Sequence, residues 1–93
     1  MNKLQKKQFL GLIKEFDGRC VRCGLKGYHL DRDHILPKYL GGSESVRNIQ
    51  PLCAWCNASK DNERFNWKAF RRKYGWEEMS IKLAKTHPFN ASA

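Results

Sequence analysis

Four cysteines, arranged as two pairs with two residues between partners, constrain this chain more than any other feature. The pairs are Cys20/Cys23 and Cys53/Cys56, in a chain of 93 residues. This spacing lets a tight turn direct both thiolates at one ion, and Gly24 suits a turn that needs positive φ. Two such pairs make a closed site of four thiolates, so we predict one structural zinc ion. The alternatives are two disulfides, which need an oxidising compartment, and a redox motif, which does not explain two copies.

The chain is strongly basic. It has 18 Lys+Arg against 9 Asp+Glu, a formal net charge of +9, and a sequence pI of about 9.7. A polyanion is the commonest partner that relieves such repulsion, so nucleic acid leads over the alternative of a merely basic soluble protein. No apolar run approaches the about 20 residues of a bilayer span or the core of a signal peptide. We therefore expect an intracellular protein with no export signal and no membrane contact.

The length favours a single small α+β domain over residues 1–93. An amphipathic helix is predicted over residues 3–16, where four apolar residues fall on one face at i, i+3, i+4 and i+7. They are Phe9, Leu12, Ile13 and Phe16. Asp17 and Gly18 should end this helix.

The rest of the chain predicts a hairpin and two further helices. Residues 28–36 look extended, and a second short strand is expected over residues 46–49. A long basic helix should run from about Cys53 to Tyr74, with Gly75 as its stop. Residues 76–93 are expected to form a short C-terminal helix and a tail.

The residues between the cysteine pairs are the most specific signal in the sequence. In order, they are Asp33-His34-Ile35-Leu36-Pro37, Gly41-Gly42, Asn48-Ile49-Gln50-Pro51-Leu52-Cys53, Cys56-Asn57 and Lys60. This set covers about residues 19–60 and resembles the HNH endonucleases, also called His-Me finger or ββα-metal nucleases, in their zinc-knuckle form. The resemblance implies a zinc-clamped β-hairpin followed by a long helix. It also implies a metal-dependent endonuclease that acts on double-stranded DNA and leaves a 5′-phosphate and a free 3′-hydroxyl.

The residue types in this motif suit phosphodiester hydrolysis, which needs a base to activate water and a cation to stabilise charge on the phosphate. His34 can act as the base because an imidazole titrates near neutrality. Asp33 and Asn57 offer oxygens to a divalent cation. The resemblance assigns the same roles and makes Asn48 the residue that holds the strand pair and the loop after His34.

This chain is an H-N-N variant, because many members of the family carry His at the position of Asn57. A His would offer a nitrogen ligand that suits later transition metals, whereas Asn57 offers only its carbonyl oxygen. Together with Asp33, waters and phosphate, this gives an all-oxygen site. Such a site favours Mg²⁺ or Mn²⁺ as the catalytic ion.

Two expectations concern geometry and DNA contacts. Neighbouring residues of a regular strand point to opposite faces, so we expect a strand end or a bulge that brings Asp33 and His34 to one site. Taken singly, His34 could be a structural histidine and Asp33 a turn cap. Four basic residues are candidate phosphate contacts, with a solvated helix face as the alternative: Lys60, Arg64, Arg71 and Arg72.

Two rival functions remain open at this point. A non-catalytic zinc module that binds nucleic acid would keep the cysteines and the basic surface, but it would not need Asp33, His34 and Asn57 together. A zinc fold for protein interaction fits the charge of +9 poorly. We expect a monomer or a weak dimer with weak sequence preference, because so small a chain has little surface left to read bases.

Overall fold

The computed structural model describes residues 1–60 and 63–76 of the chain. It contains a two-stranded sheet, three α-helices and two short 3₁₀ turns, at Lys38–Leu40 and Val46–Asn48. The main elements are α1 (Lys3–Glu15), β1 (Leu30–His34), β2 (Ile49–Cys53), α2 (Ala54–Ser59) and α3 (Trp67–Tyr74). Within the described ranges, no helix is long and apolar enough to cross a membrane.

Helix α1 begins at a capping box. The side chain of Asn2 accepts a hydrogen bond from the Gln5 amide at 2.8 Å, and the Gln5 side chain accepts one from the Asn2 amide at 3.0 Å. The predicted apolar face is confirmed, since Phe9, Leu12 and Phe16 are buried in the core. The helix packs this face against β2.

Strands β1 and β2 form the antiparallel hairpin that the sequence predicts. Leu30 pairs with Cys53 at one end and His34 with Ile49 at the other. All five residues of β2 are buried. The predicted bounds of the second strand, residues 46–49, are wrong. Val46–Asn48 form a 3₁₀ turn that the Ser45 side chain caps, and β2 begins at Ile49.

Of the two alternatives predicted at Asp33 and His34, a strand end or a bulge, the structure has the strand end and no bulge. Pairing runs without interruption from Leu30 to His34, with Asp33 opposite Gln50 and His34 opposite Ile49. Asp33 and His34 therefore point to opposite faces of the sheet. The strand ends directly after His34, which leaves this residue at the edge of the hairpin.

The predicted long helix from Cys53 to Tyr74 is wrong as well, because the chain forms two helices there. Helix α2 follows β2 directly and has Lys60 as its C-terminal cap. Helix α3 has its own N-terminal cap, Asn66, whose side chain accepts from the Ala69 amide at 3.1 Å. The hairpin followed at once by α2 still gives the expected α+β arrangement of two strands and a helix. The short helix and tail predicted over residues 76–93 lie, apart from Trp76, outside the described residues.

Candidate metal centre and catalytic site

The four cysteine sulfurs lie together in the core, between the first turn after α1 and the junction of β2 with α2. All four Sγ atoms lie within 4.8 Å of one another, and each residue is buried. The cysteines are free, and the Sγ atoms of Cys23 and Cys53 are 4.0 Å apart. Sulfurs at about 2.3 Å from a tetrahedral zinc would be about 3.8 Å apart. The cluster therefore has the ligand set, the spacing and the burial of a structural zinc site.

The electrostatics of the thiols also favour a bound cation. A hydrogen bond between Cys20 and Cys53 lowers the pKa of Cys53 far below the usual thiol range. A separate hydrogen bond between Cys20 and Cys56 raises the pKa of Cys56 far above that range. A hydrogen bond with Cys23 lowers the pKa of Cys20 to about 7. Adjacent thiolates repel, so without a cation only part of the set can ionise. A zinc ion would remove this conflict by binding all four as thiolates.

Arg71 holds the first cysteine pair in place. Its Nε donates to the Val21 carbonyl at 2.6 Å, and its Nη2 donates to the Arg22 carbonyl at 2.8 Å. The guanidinium also lies 4.7 Å from the ring centroid of Trp76. Arg71 is only 4% exposed, so these contacts give it a structural role in the fold.

Asp33 faces the α2 side of the hairpin and is 4% exposed. Its Oδ2 accepts a hydrogen bond from the side-chain amide of Gln50 (Nε2) at 3.0 Å. Its Oδ1 lies 2.5 Å from the ammonium of Lys60. That ammonium also donates to the backbone carbonyl of His34 at 3.3 Å. Lys60, predicted as a phosphate contact, thus neutralises Asp33 in this structure.

Asn57 lies in α2 and reaches the same face of β1 as Asp33. Its Nδ2 donates to Asp31 Oδ2 at 3.4 Å. Asp31 and Asp33 share this face because they are two residues apart on one strand. The structure therefore brings two carboxylates and one amide to the α2 side of β1, which are oxygen donors of the kind that hard cations prefer.

His34 points away from Asp33, towards the loop that connects the strands. Its Nε2 lies 2.7 Å from Glu44 Oε1. Lys38 Nζ lies 3.0 Å from the same oxygen, and Arg32 Nη2 lies 2.8 Å from Oε2. Hydrogen bonds from Arg32, Lys38 and His34, in that order of effect, lower the pKa of Glu44 to about 2. The imidazole is therefore held by an ionised carboxylate.

Asn48 ties together the loop between His34 and Glu44. Its Oδ1 accepts from the Leu36 amide at 2.9 Å, while its Nδ2 donates to the carbonyls of Leu36 at 3.0 Å and Ser43 at 2.9 Å. The Asn48 carbonyl also accepts from the Ile35 amide at 2.8 Å. These hydrogen bonds hold the loop after His34 against the residue that precedes β2.

The remaining basic candidates lie on the surface of the protein. Arg64 is exposed, and Arg72 makes a two-point contact with Glu15, at 2.7 and 2.8 Å. Among the four predicted phosphate contacts, Arg64 and Arg72 are thus the two whose side chains reach solvent.

Sequence reasoning missed three polar residues of the site. Two of them could have been predicted from the sequence. Strand alternation places Asp31 on the same face as Asp33, and the pairing of the hairpin places Gln50 opposite Asp33. Glu44 could not have been predicted, since its contact with His34 depends on the path of the intervening loop.

Residues 20–63 match the family model described as HNH endonuclease. The matched segment contains both cysteine pairs, the hairpin, the loop with Glu44 and Asn48, and helix α2. A comparison with curated proteins and a comparison with solved structures each found no match.

Proposed function

The chain carries an HNH endonuclease domain at residues 20–63, and from this premise we propose that it is a divalent-metal-dependent endonuclease that hydrolyses phosphodiester bonds in double-stranded DNA. The observation that supports this most is the position of Asp33 and His34 at the end of β1, each held by its own set of partners. A zinc module that only bound DNA would not need a buried carboxylate beside an oriented imidazole.

Asp33 and Asn57 are the proposed ligands of the catalytic cation. The ammonium of Lys60 lies 2.5 Å from Asp33 Oδ1, so a divalent ion bound by this carboxylate would take the place of that ammonium. A bound divalent ion would stabilise the negative charge that develops on the phosphate and the leaving oxygen. Because the donors are oxygens, Mg²⁺ or Mn²⁺ suits them best.

His34 is the proposed general base. Its imidazole takes a proton from water, and the water oxygen forms a bond to phosphorus while the bond from phosphorus to the 3′ oxygen breaks. The leaving oxygen takes a proton from solvent, which gives a free 3′-hydroxyl and a 5′-phosphate. Asn48 supports this step by fixing the backbone directly after His34.

The net charge of +9 supports DNA as the substrate. Contacts between basic side chains and phosphates release counterions, so affinity should fall steeply as the salt concentration rises and should depend little on sequence. Arg64, in the connection before α3, and Arg72, in α3, are the candidates whose side chains reach solvent.

The test is nicking of supercoiled plasmid by the zinc-loaded protein in buffer without added divalent ion, with Mg²⁺ and with Mn²⁺. We expect nicks only with added metal. His34→Ala should abolish cleavage and leave zinc content and DNA affinity nearly unchanged, because the imidazole acts on water and is not part of the core. His29→Ala is the matched control, since the His29 side chain is 88% exposed and lies outside the motif.

The outcomes separate the candidate functions. A His34→Ala protein that still nicks DNA at a comparable rate would remove His34 as the base. A native protein that binds DNA in a salt-dependent way but never cleaves it would instead support the non-catalytic zinc module.

A further inference from the structure

Glu44 collects three donors around one carboxylate on the face of the hairpin opposite to Asp33. The three partners are His34 at 2.7 Å, Arg32 at 2.8 Å and Lys38 at 3.0 Å. The Arg32 and His34 side chains are 18% and 20% exposed, and that of Glu44 is 31% exposed. The contact with His34 is thus partly shielded from water, where hydrogen bonds to charged groups are stronger than at an exposed surface.

The loop that carries Glu44 is built so that this residue returns to His34. The side chain of Asn48 bonds to Leu36 and to Ser43, the residue before Glu44. Gly42 donates its amide to the Pro37 carbonyl at 2.9 Å. A Cβ atom at Gly42 would lie 1.7 Å from the Leu36 carbonyl oxygen, so this close approach requires glycine.

We propose that Glu44 is a positioning residue that fixes the orientation and the tautomer of the His34 imidazole. The inference rests on the proposed function, in which His34 takes a proton from water. A carboxylate can only accept hydrogen bonds, so the Nε2 atom of a neutral His34 must carry the proton that it shares with Glu44. The lone pair then lies on Nδ1, which is the nitrogen that accepts the proton from water.

Arg32 and Lys38 support the same arrangement, Arg32 through Oε2 of Glu44 and Lys38 through Oε1, the oxygen that also contacts His34. Their hydrogen bonds lower the pKa of Glu44 to about 2, so the carboxylate is ionised at neutral pH. It therefore stays an acceptor for Nε2–H before the proton transfer, and it faces an imidazolium after it. This charge-assisted bond favours the product of the transfer.

The experiment compares native protein with Glu44→Ala, Glu44→Gln and Glu15→Gln, all zinc-loaded. Glu15→Gln is the control for the loss of one negative charge, because Glu15 pairs with Arg72 away from the loop. The tautomer of His34 is read from its ¹⁵N chemical shifts at a pH where the ring is neutral. Steady-state cleavage rates over a range of DNA concentrations, with saturating Mg²⁺ or Mn²⁺, give kcat and KM, and zinc content and circular dichroism check folding.

We expect the native ring to be protonated at Nε2, and Glu44→Ala to shift it towards a mixture of tautomers. In Glu44→Ala, kcat should fall by about 10- to 100-fold, the loss typical when the partner that orients a metal-ligating histidine is removed, while KM does not rise. Glu44→Gln should lose less, because its amide oxygen still accepts from Nε2–H. Glu15→Gln should leave both the tautomer and kcat unchanged.

Two results would overturn the proposal. One is a native ring protonated at Nδ1. The other is a Glu44→Ala protein with the native tautomer, or with unchanged kcat. If the native protein binds DNA but never cleaves it, the proposed function fails, and the ¹⁵N shifts of native protein and Glu44→Ala still decide whether Glu44 orients His34.

Discussion

Replacing Gln50 with leucine should destabilise the fold and disturb the site at the same time. Gln50 lies in the middle of β2 and is 1% exposed. Its Nε2 donates to Asp33 Oδ2 at 3.0 Å and to the Phe65 carbonyl at 3.2 Å, and its Oε1 accepts from the Trp67 amide at 2.9 Å. This one amide therefore joins the hairpin, the connection after α2 and the start of α3. Leucine has a similar volume and removes all three hydrogen bonds.

The magnitude follows from the partners that are left behind. The neutral bond to Phe65 is worth about 1 kcal/mol, and the bond to the carboxylate of Asp33 about 2 kcal/mol. Leaving the Trp67 amide without its acceptor costs about 2 kcal/mol. Burial of the leucine side chain returns about 2 kcal/mol. We therefore expect Gln50→Leu to lower the free energy of unfolding by about 3 kcal/mol, which corresponds to about 12–24 °C in Tm for a domain of this size.

The assay is urea unfolding of the zinc-saturated protein, followed by far-ultraviolet circular dichroism at a fixed zinc concentration. Gln8→Leu is the matched control, because Gln8 is exposed on α1 and its replacement should change stability by no more than about 0.5 kcal/mol. A loss of less than about 1 kcal/mol in Gln50→Leu, with zinc retained, would refute the argument that this amide joins the three segments.

Three further predictions concern the metals and the loop. Cys56→Ser should lose zinc and most of the folded structure, since structural zinc contributes on the order of 10 kcal/mol in small domains; native circular dichroism with full zinc content would contradict this. Asn57→His should shift the metal preference of nicking towards Ni²⁺ or Co²⁺, and Asn57→Ala should lose activity with every ion, whereas equal Mg²⁺-driven rates in native protein and Asn57→Ala would remove Asn57 from the site. Gly42→Ala should lower Tm and kcat because its Cβ would meet the Leu36 carbonyl at 1.7 Å. Its control, Gly11→Ala, has open space and should stabilise α1 by about 0.5–1 kcal/mol; equal melting of the two variants would show that the loop tolerates a side chain.

The parts of the fold that the sequence predicts are those with a local period or a fixed spacing. Helix α1 follows from the positions of Phe9, Leu12 and Phe16, and the cysteine cluster follows from two equal spacings. The break between α2 and α3 does not follow from such a pattern. Asn66 is of a type that favours a helix N-terminus, and the Trp67 amide bonds to Gln50 from β2. Because Trp67 and Gln50 are 17 positions apart, the local sequence pattern does not predict this contact.

The sequence pattern also does not predict which of two adjacent basic side chains is buried. Arg71 belongs to the run Arg71-Arg72-Lys73, which is typical of a solvent-exposed helix face. Of these three residues only Arg71 is buried, and it bonds to the carbonyls of Val21 and Arg22. Its neighbour Arg72 stays at the surface with Glu15. Both residues carry the same charge, and the packing of α3 on the first cysteine pair buries Arg71 and leaves Arg72 at the surface.

The regular pairing of β1 changes how Asp33 and His34 can serve one reaction. Because they point to opposite faces, the carboxylate is positioned by Gln50 and Lys60, and the imidazole is positioned by Glu44. Two such groups can act on one phosphate only where the strand ends and a ligand can reach both faces, and β1 ends at His34. The ammonium of Lys60 already reaches that edge, since it lies between Asp33 Oδ1 and the His34 carbonyl. For the proposed reaction we therefore expect the phosphate at the end of β1, with the proposed cation ligands on the α2 side and the proposed base on the loop side.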